Sequence, residues 1–219
     1  MINLIIKDIL VQKKTILISL VYTIFFIFTF QGMGNVGFVG SVVAIVYLLL
    51  NTSLAYDDKN KSEIMLNSLP IKREDIVTAK YVSVLLYLTI GISFYFISTL
   101  LIKLTMLPIQ LNTVTTVDII SSMISVILLI SINLPLFFKL GYIKSKMFSF
   151  ILFFLFFFGA ASLAGYLKNN KIIGTSGLLL DFLYNGSDIQ ILLFFIVIVF
   201  ILALVSYGVS IILYKNREF

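Results

Sequence analysis

The 219-residue chain is 60% hydrophobic and 12% charged, whereas a soluble domain carries about 25% charged and 45–50% apolar residues. So much apolar surface cannot be covered in water, and long apolar runs in place of short alternating segments point to an all-α integral membrane protein and exclude an outer-membrane barrel. With no Cys and no His, disulfides, thiolate metal sites and imidazole catalysis are excluded, and the net charge of +6 reads as the basic bias of loops on one membrane side, with no nucleic-acid partner implied.

The chain opens with MINLIIKDILVQKK. Ile2, Ile5, Ile6 and Ile9 recur at helical spacing, while Asn3, Lys7 and Lys14 gather on another face. This predicts an interfacial helix over 1–14, with its Lys among anionic lipid headgroups. The alternative is a plain start to the first span. Six apolar runs follow, at residues 15–33, 36–56, 81–102, 117–138, 147–167 and 189–213, each near the 20 or so residues a crossing needs. They make residues 1–219 a single transmembrane domain. The first run is too long, and too soon followed by another, to be a signal peptide. Gly32, Gly34 and Gly37 set a tight turn between spans one and two.

Lys and Arg orient the spans. One side carries Lys7, Lys13, Lys14, Lys59, Lys61, Lys72, Arg73, Lys80, Lys139, Lys144, Lys146, Lys215 and Arg217, the other only Lys103, Lys168 and Lys171. The positive-inside rule puts the first set, and both termini, in the cytoplasm. The outer loops, 103–116 and 168–188, are too short for a folded domain. The scarcity of Arg beside abundant Ile, Lys, Asn and Phe fits an AT-rich bacterial genome, and so the plasma membrane of a bacterium.

None of the six apolar cores holds a charge, Asp118 lying near the outer end of span four, which argues against a proton-coupled carrier. Paired carboxylates, a His-containing triad and an HExxH motif are also missing, so no enzyme is expected and no catalytic or metal-binding residue is assigned. Polar residues do occur in the spans: Asn51 near the end of span two, Asn133 and Pro135 in span four. They serve either interhelical hydrogen bonds and a Pro kink, or a hinge and polar pathway. Small residues recur around Gly37 and Gly40 in span two and at Gly159 and Gly165 in span five, for close helix packing within the chain or between subunits.

Residues 57–80 form the longest hydrophilic stretch. Asn60 is placed to cap a short helix, with Glu63 three residues on as its capping-box partner. Ile64, Met65, Leu66 and Leu69 give that helix an apolar side, and Pro70 ends it. A second helix is predicted to start near Lys72 and run into span three. Positive-inside bias accounts for the basic residues here but not for Asp57, Asp58, Glu63, Glu74 and Asp75, and mixed charge around Met and Leu suits docking to a protein.

This layout, with the phrase YDDKNKSEIMLNSLPIKREDIVTAKY (56–81), resembles the exporter-class (type-2) ABC transporter permeases. Among them it looks most like the small, loop-poor ones of amphipathic-peptide exporters, such as the phenol-soluble modulin exporter. The resemblance implies that the loop is a coupling helix fitting a cleft on a cytoplasmic ATPase, through Glu63, Met65, Leu66, Leu69, Lys72, Arg73 and Glu74. It further implies a second permease chain, identical or related, and ATP with Mg bound by the ATPase partner; no cofactor is bound directly, as the chain lacks a GxxxxGK[ST] loop. Where many relatives cap the second helix with Ser or Thr, Lys72 stands here. The competing expectations are an ATP-independent membrane immunity or structural protein and an ion-coupled secondary transporter.

Overall fold

The computed structural model describes residues 2–31, 35–105, 113–169 and 188–217. Its elements are α1 (Ile2–Val11), α2 (Lys13–Thr29), α3 (Asn35–Lys59), α4 (Ser62–Asn67), α5 (Arg73–Leu104), α6 (Thr116–Asn169) and α7 (Asp188–Lys215). No strand occurs among the described residues. Four helical stretches there are long and apolar enough to cross a membrane: Val36–Lys59, Arg73–Leu104, Thr116–Leu155 and Leu193–Lys215. A fifth is added if α1 and α2, bent by 63°, count as one broken span. Gly32, Gly34 and most of both expected outer loops lie outside the described residues.

The centre of the bundle is α3, which packs against α2, α5 and α6. Phe38, Val42, Ile45, Leu49, Leu50 and Leu54 are all buried along it. Apolar burial does not drive helices together in lipid, so close van der Waals fit must. Gly37 shows how: a Cβ there would sit 3.1 Å from the Phe30 carbonyl oxygen just past α2. By contrast α7 is the most exposed span, with Leu193, Phe195, Val197, Phe200, Ile201, Leu204 and Val205 all turned outward.

The expected helix after Lys72 and the expected third span are one 32-residue rod, α5. At 1.5 Å per residue it is about 48 Å long, well beyond a hydrocarbon core of about 30 Å, so it must tilt or extend past the apolar layer. The expected loop at 139–146 is not a loop. Helix continues through it and breaks at one residue, Gly141, with φ 75° and ψ 175°. Only glycine holds that conformation readily.

The two limbs of α6 fold back on each other at Gly141. Tyr47 of α3 shares a small cavity with Leu129 and Ile130 from the first limb and stacks on Phe153 of the second at 4.4 Å. In a straight helix Ile130 and Phe153 would be about 35 Å apart.

Pro135 is expected to kink α6, yet its backbone stays helical. Its missing N–H frees the carbonyl four residues back, and α7 supplies the replacement: the Ser206 hydroxyl donates to the Ser131 oxygen at 2.8 Å. Ser206 in turn accepts from Tyr81 of α5 at 2.7 Å, and Ser210 donates to Tyr81 at 2.9 Å. A chain of hydroxyls thus stitches α5, α6 and α7 together.

Candidate functional site

The residues expected to dock a partner converge at one end of the bundle. There α3 runs on to Lys59, and the Asn60 N–H still donates to the Tyr56 oxygen at 3.0 Å. Asn60 is therefore not the cap of α4. The turn is made by Lys61, left-handed at φ 48°, and no side chain caps α4. The reason is local: Tyr56–Lys59 are compatible with helix, so α3 outlasts its apolar run and the break shifts one residue on.

Six residues then form α4. Leu66 is only 7% exposed and packs into the core, whereas Ile64, Met65 and Leu69 are 54%, 58% and 46% exposed. The expected apolar side is thus divided, with one anchor inward and three groups outward. Glu63 accepts both guanidinium nitrogens of Arg217, at 2.9 and 3.2 Å. Asn67 donates to the Tyr214 hydroxyl at 3.1 Å. Burial pushes the Glu63 carboxyl above the usual glutamate range, with Arg217 opposing it.

Lys72 is the extended N-cap of α5, at φ −68° and ψ 137°, and its side chain makes no capping bond. The helix starts at Arg73 regardless. Glu74 and Asp75 in its first turn complement the helix dipole in place of a hydroxyl cap. Arg73 reaches across to the end of α7, where its Nη1 donates to the carbonyls of Tyr214, Lys215 and Arg217 at 3.3, 2.7 and 3.2 Å. Lys215 returns an ion pair to Glu74. Each arginine thereby caps or braces a neighbouring helix end.

Beneath this surface lies a feature the apolar pattern does not reveal: a cluster of four charges, with Asp8, Asp57 and Lys80 buried and Lys7 partly so. Lys80 donates to both Asp8 oxygens at 3.0 and 2.9 Å and to Ser53 at 2.9 Å, and it pairs with Asp57. Lys7 lies 2.7 Å from Asp57 and 3.2 Å from Asp8. Two cations and two anions balance, and Ser83 adds a bond to Asp8 at 3.3 Å. Two expectations are corrected by this. First, the Lys7 ammonium pairs within the protein, not with lipid headgroups, while Ile2, Ile6 and Leu10 are exposed and Asp8 is buried. Second, Asp57, Glu63 and Glu74, among the acids that positive-inside bias leaves unexplained, each have a basic partner within the chain. A hint was present in the sequence: Asp57 and Lys80 each stand one residue beyond an apolar run, on facing ends of spans two and three.

A small cavity joins the two layers, lined among others by Asp8, Asp57, Glu63, Leu66, Lys80, Phe138 and Tyr214. Among the described residues no set of His, Cys, Asp or Glu side chains converges to hold a metal ion. Elsewhere, Asn51 donates to the Tyr47 carbonyl of its own helix at 2.9 Å. Asn133 is 2% exposed, and neither of its side-chain polar atoms has a partner among the described residues. Gly40 is buried in α3. A Cβ at Gly159 would meet nothing within 4 Å. Gly165 lies in α6, but its surroundings fall outside the described residues.

The molecule is therefore a multi-pass helical membrane protein in which one short helix is bolted to the ends of several spans, and it and the turn after it leave Ile64, Met65 and Leu69 turned outward. The family model described as ABC-2 family transporter protein matches residues 3–215, and the chain belongs to that family. No curated protein matches the chain. No solved structure matches it either.

Proposed function

We propose that the chain is the membrane-spanning permease subunit of an ATP-driven ABC exporter, and that it receives work from a separate cytoplasmic ATPase through α4. The observation that carries this reading is the divided helix within an ABC-2 family chain: Leu66 fixes α4 to the core while Ile64, Met65 and Leu69 are left outward. A partner cleft would cover those three side chains.

With α2 as one crossing and the two limbs of α6 as two, the chain crosses six times, with α1, α4 and the end of α7 on the cytoplasmic side. The fold-back at Gly141 and the Lys and Arg count support that arrangement. A second permease chain would complete the pathway. When ATP closes the ATPase dimer, its clefts displace α4, and the spans attached to it shift. The cargo we favour is an amphipathic or hydrophobic molecule, such as a cytolytic or antimicrobial peptide of the phenol-soluble modulin kind. Such a cargo needs no buried counter-ion at mid-depth.

Ile64→Asp, Met65→Asp and Leu69→Asp, combined in one variant, should abolish co-purification of the ATPase while membrane insertion is retained. These sites are exposed, so the fold should tolerate them, whereas Leu66→Asp would injure the core. An unchanged pull-down would remove α4 as the docking element. Export that persists without the ATPase would favour an ion-coupled carrier or an ATP-independent protein.

A further inference from the structure

Three elements meet at Arg217, two through its side chain and one through its backbone carbonyl. Its two Nη atoms hold the Glu63 carboxylate of α4 at 2.9 and 3.2 Å. The same Nη2 lies 2.9 Å from the place a Cβ on residue 141 would take, so the guanidinium fills the space beside the elbow of α6. Its backbone carbonyl accepts from Arg73 at 3.2 Å, which ties the strut to the start of α5. Meanwhile Gly141 is the only residue of α6 with non-helical backbone angles, so the angle between the two limbs is set there.

We propose that Arg217 is a positioning strut, which carries a displacement of α4 into the Gly141 elbow and so into both limbs of α6. The inference rests on α4 being the docking helix, but it concerns the route beyond it. Direct chain connection passes motion from α4 only to α3 and α5. The strut adds α6, whose limbs flank α3 at Tyr47. A planar guanidinium gripping a carboxylate with two nitrogens fixes direction as well as distance. A lysine at this position would keep the charge but lose the fork. The absence of a side chain at residue 141 has the same logic: a methyl group there would push the guanidinium off the elbow.

The chain has no cysteine, so spin labels can be placed at will. Met65→Cys on α4 and Ile143→Cys beside the elbow are both at exposed sites. In nanodiscs, without any ATPase, this pair should give a narrow distance distribution by pulsed electron paramagnetic resonance. Arg217→Ala and Arg217→Lys should broaden it with helix content unchanged, and the exchange Glu63→Arg with Arg217→Glu should narrow it again. If Arg217→Ala leaves the distribution as it was, or the exchange fails to narrow it, the strut is refuted.

A second pair of measurements follows transmission. Lys14→Cys serves as a reference, paired in turn with Ile143→Cys and with Ser68→Cys, an exposed site at the end of α4 that is not among the docking side chains, in the presence of the ABC ATPase that co-purifies with the chain, trapped with ATP and vanadate. Trapping should shift both distances in the otherwise unmodified protein. In Arg217→Ala it should shift only the one to Ser68, and an elbow that still responds there overturns the proposal. A Ser68 distance that never responds, with the ATPase still co-purifying, would overturn the docking role of α4, while the ATPase-free measurement still decides the strut.

Discussion

Replacing Lys80 by methionine tests the buried charge cluster most directly. Methionine keeps the length and apolar volume of the stem, so packing changes little. Lys80 holds Asp8 at 2.9 Å and also contacts Asp57. At about 3 Å, each contact is worth roughly 5 kcal/mol gross with an effective dielectric constant of about 20. Removing the ammonium recovers several kcal/mol of its own desolvation, so the net loss should be about 3–5 kcal/mol. The loss arises because two buried carboxylates then share Lys7 alone. Adding Asp57→Asn restores neutrality, with Lys7 still 3.2 Å from Asp8, and the double variant should regain a substantial part of the loss. The chain has no tryptophan and no cysteine, so unfolding is best followed by far-UV circular dichroism during SDS titration in detergent. A loss under about 1 kcal/mol for Lys80→Met, or a double variant no more stable than the single one, would show that charge balance is not what holds this cluster.

Ser206→Ala strips the Ser131 carbonyl of its replacement donor and should cost about 1–3 kcal/mol in the same titration; in a Pro135→Ala background, where a backbone N–H returns, the cost should shrink. Lys61→Gly should stabilise the protein by roughly 0.5–1 kcal/mol, because glycine enters the left-handed region without the penalty lysine incurs. Since burial raises the Glu63 carboxyl above its ordinary value, its folded form holds the proton more tightly than its unfolded form. Its contribution to stability is therefore full below the ordinary glutamate range and is lost as pH rises through the raised value. Stability measured against pH should show that decline, and Glu63→Gln should flatten it.

Much of the frame was legible in advance. Apolar runs located α3, α5, α7 and the first limb of α6, and Pro70 with the charged run after it located the start of α5 within one residue. Those signals are local, and the physics behind them acts within a turn or two of helix. The end of α3 was misjudged because a polar residue such as Asn60 marks a boundary only when the preceding residues stop favouring helix, and Tyr56–Lys59 do not. Gly141 is one glycine among twelve; nothing near it in sequence says that helix persists on both sides. The charge cluster was hidden for a different reason. Asp8 and Lys80 are 72 residues apart, and each alone looks like an ordinary interfacial charge. The pairing of Glu63 with Arg217 spans 154 residues, and no periodic pattern reaches so far.

The burial of Asp8 bears on how the chain is assembled. Lys7 and Asp8 are synthesised 50 and 72 residues ahead of their principal partners, Asp57 and Lys80. Until α5 begins to form, the only cation of the cluster beside Asp8 is its own neighbour Lys7, which is itself partly exposed. The seating of α1 therefore reports that spans two and three have already come together.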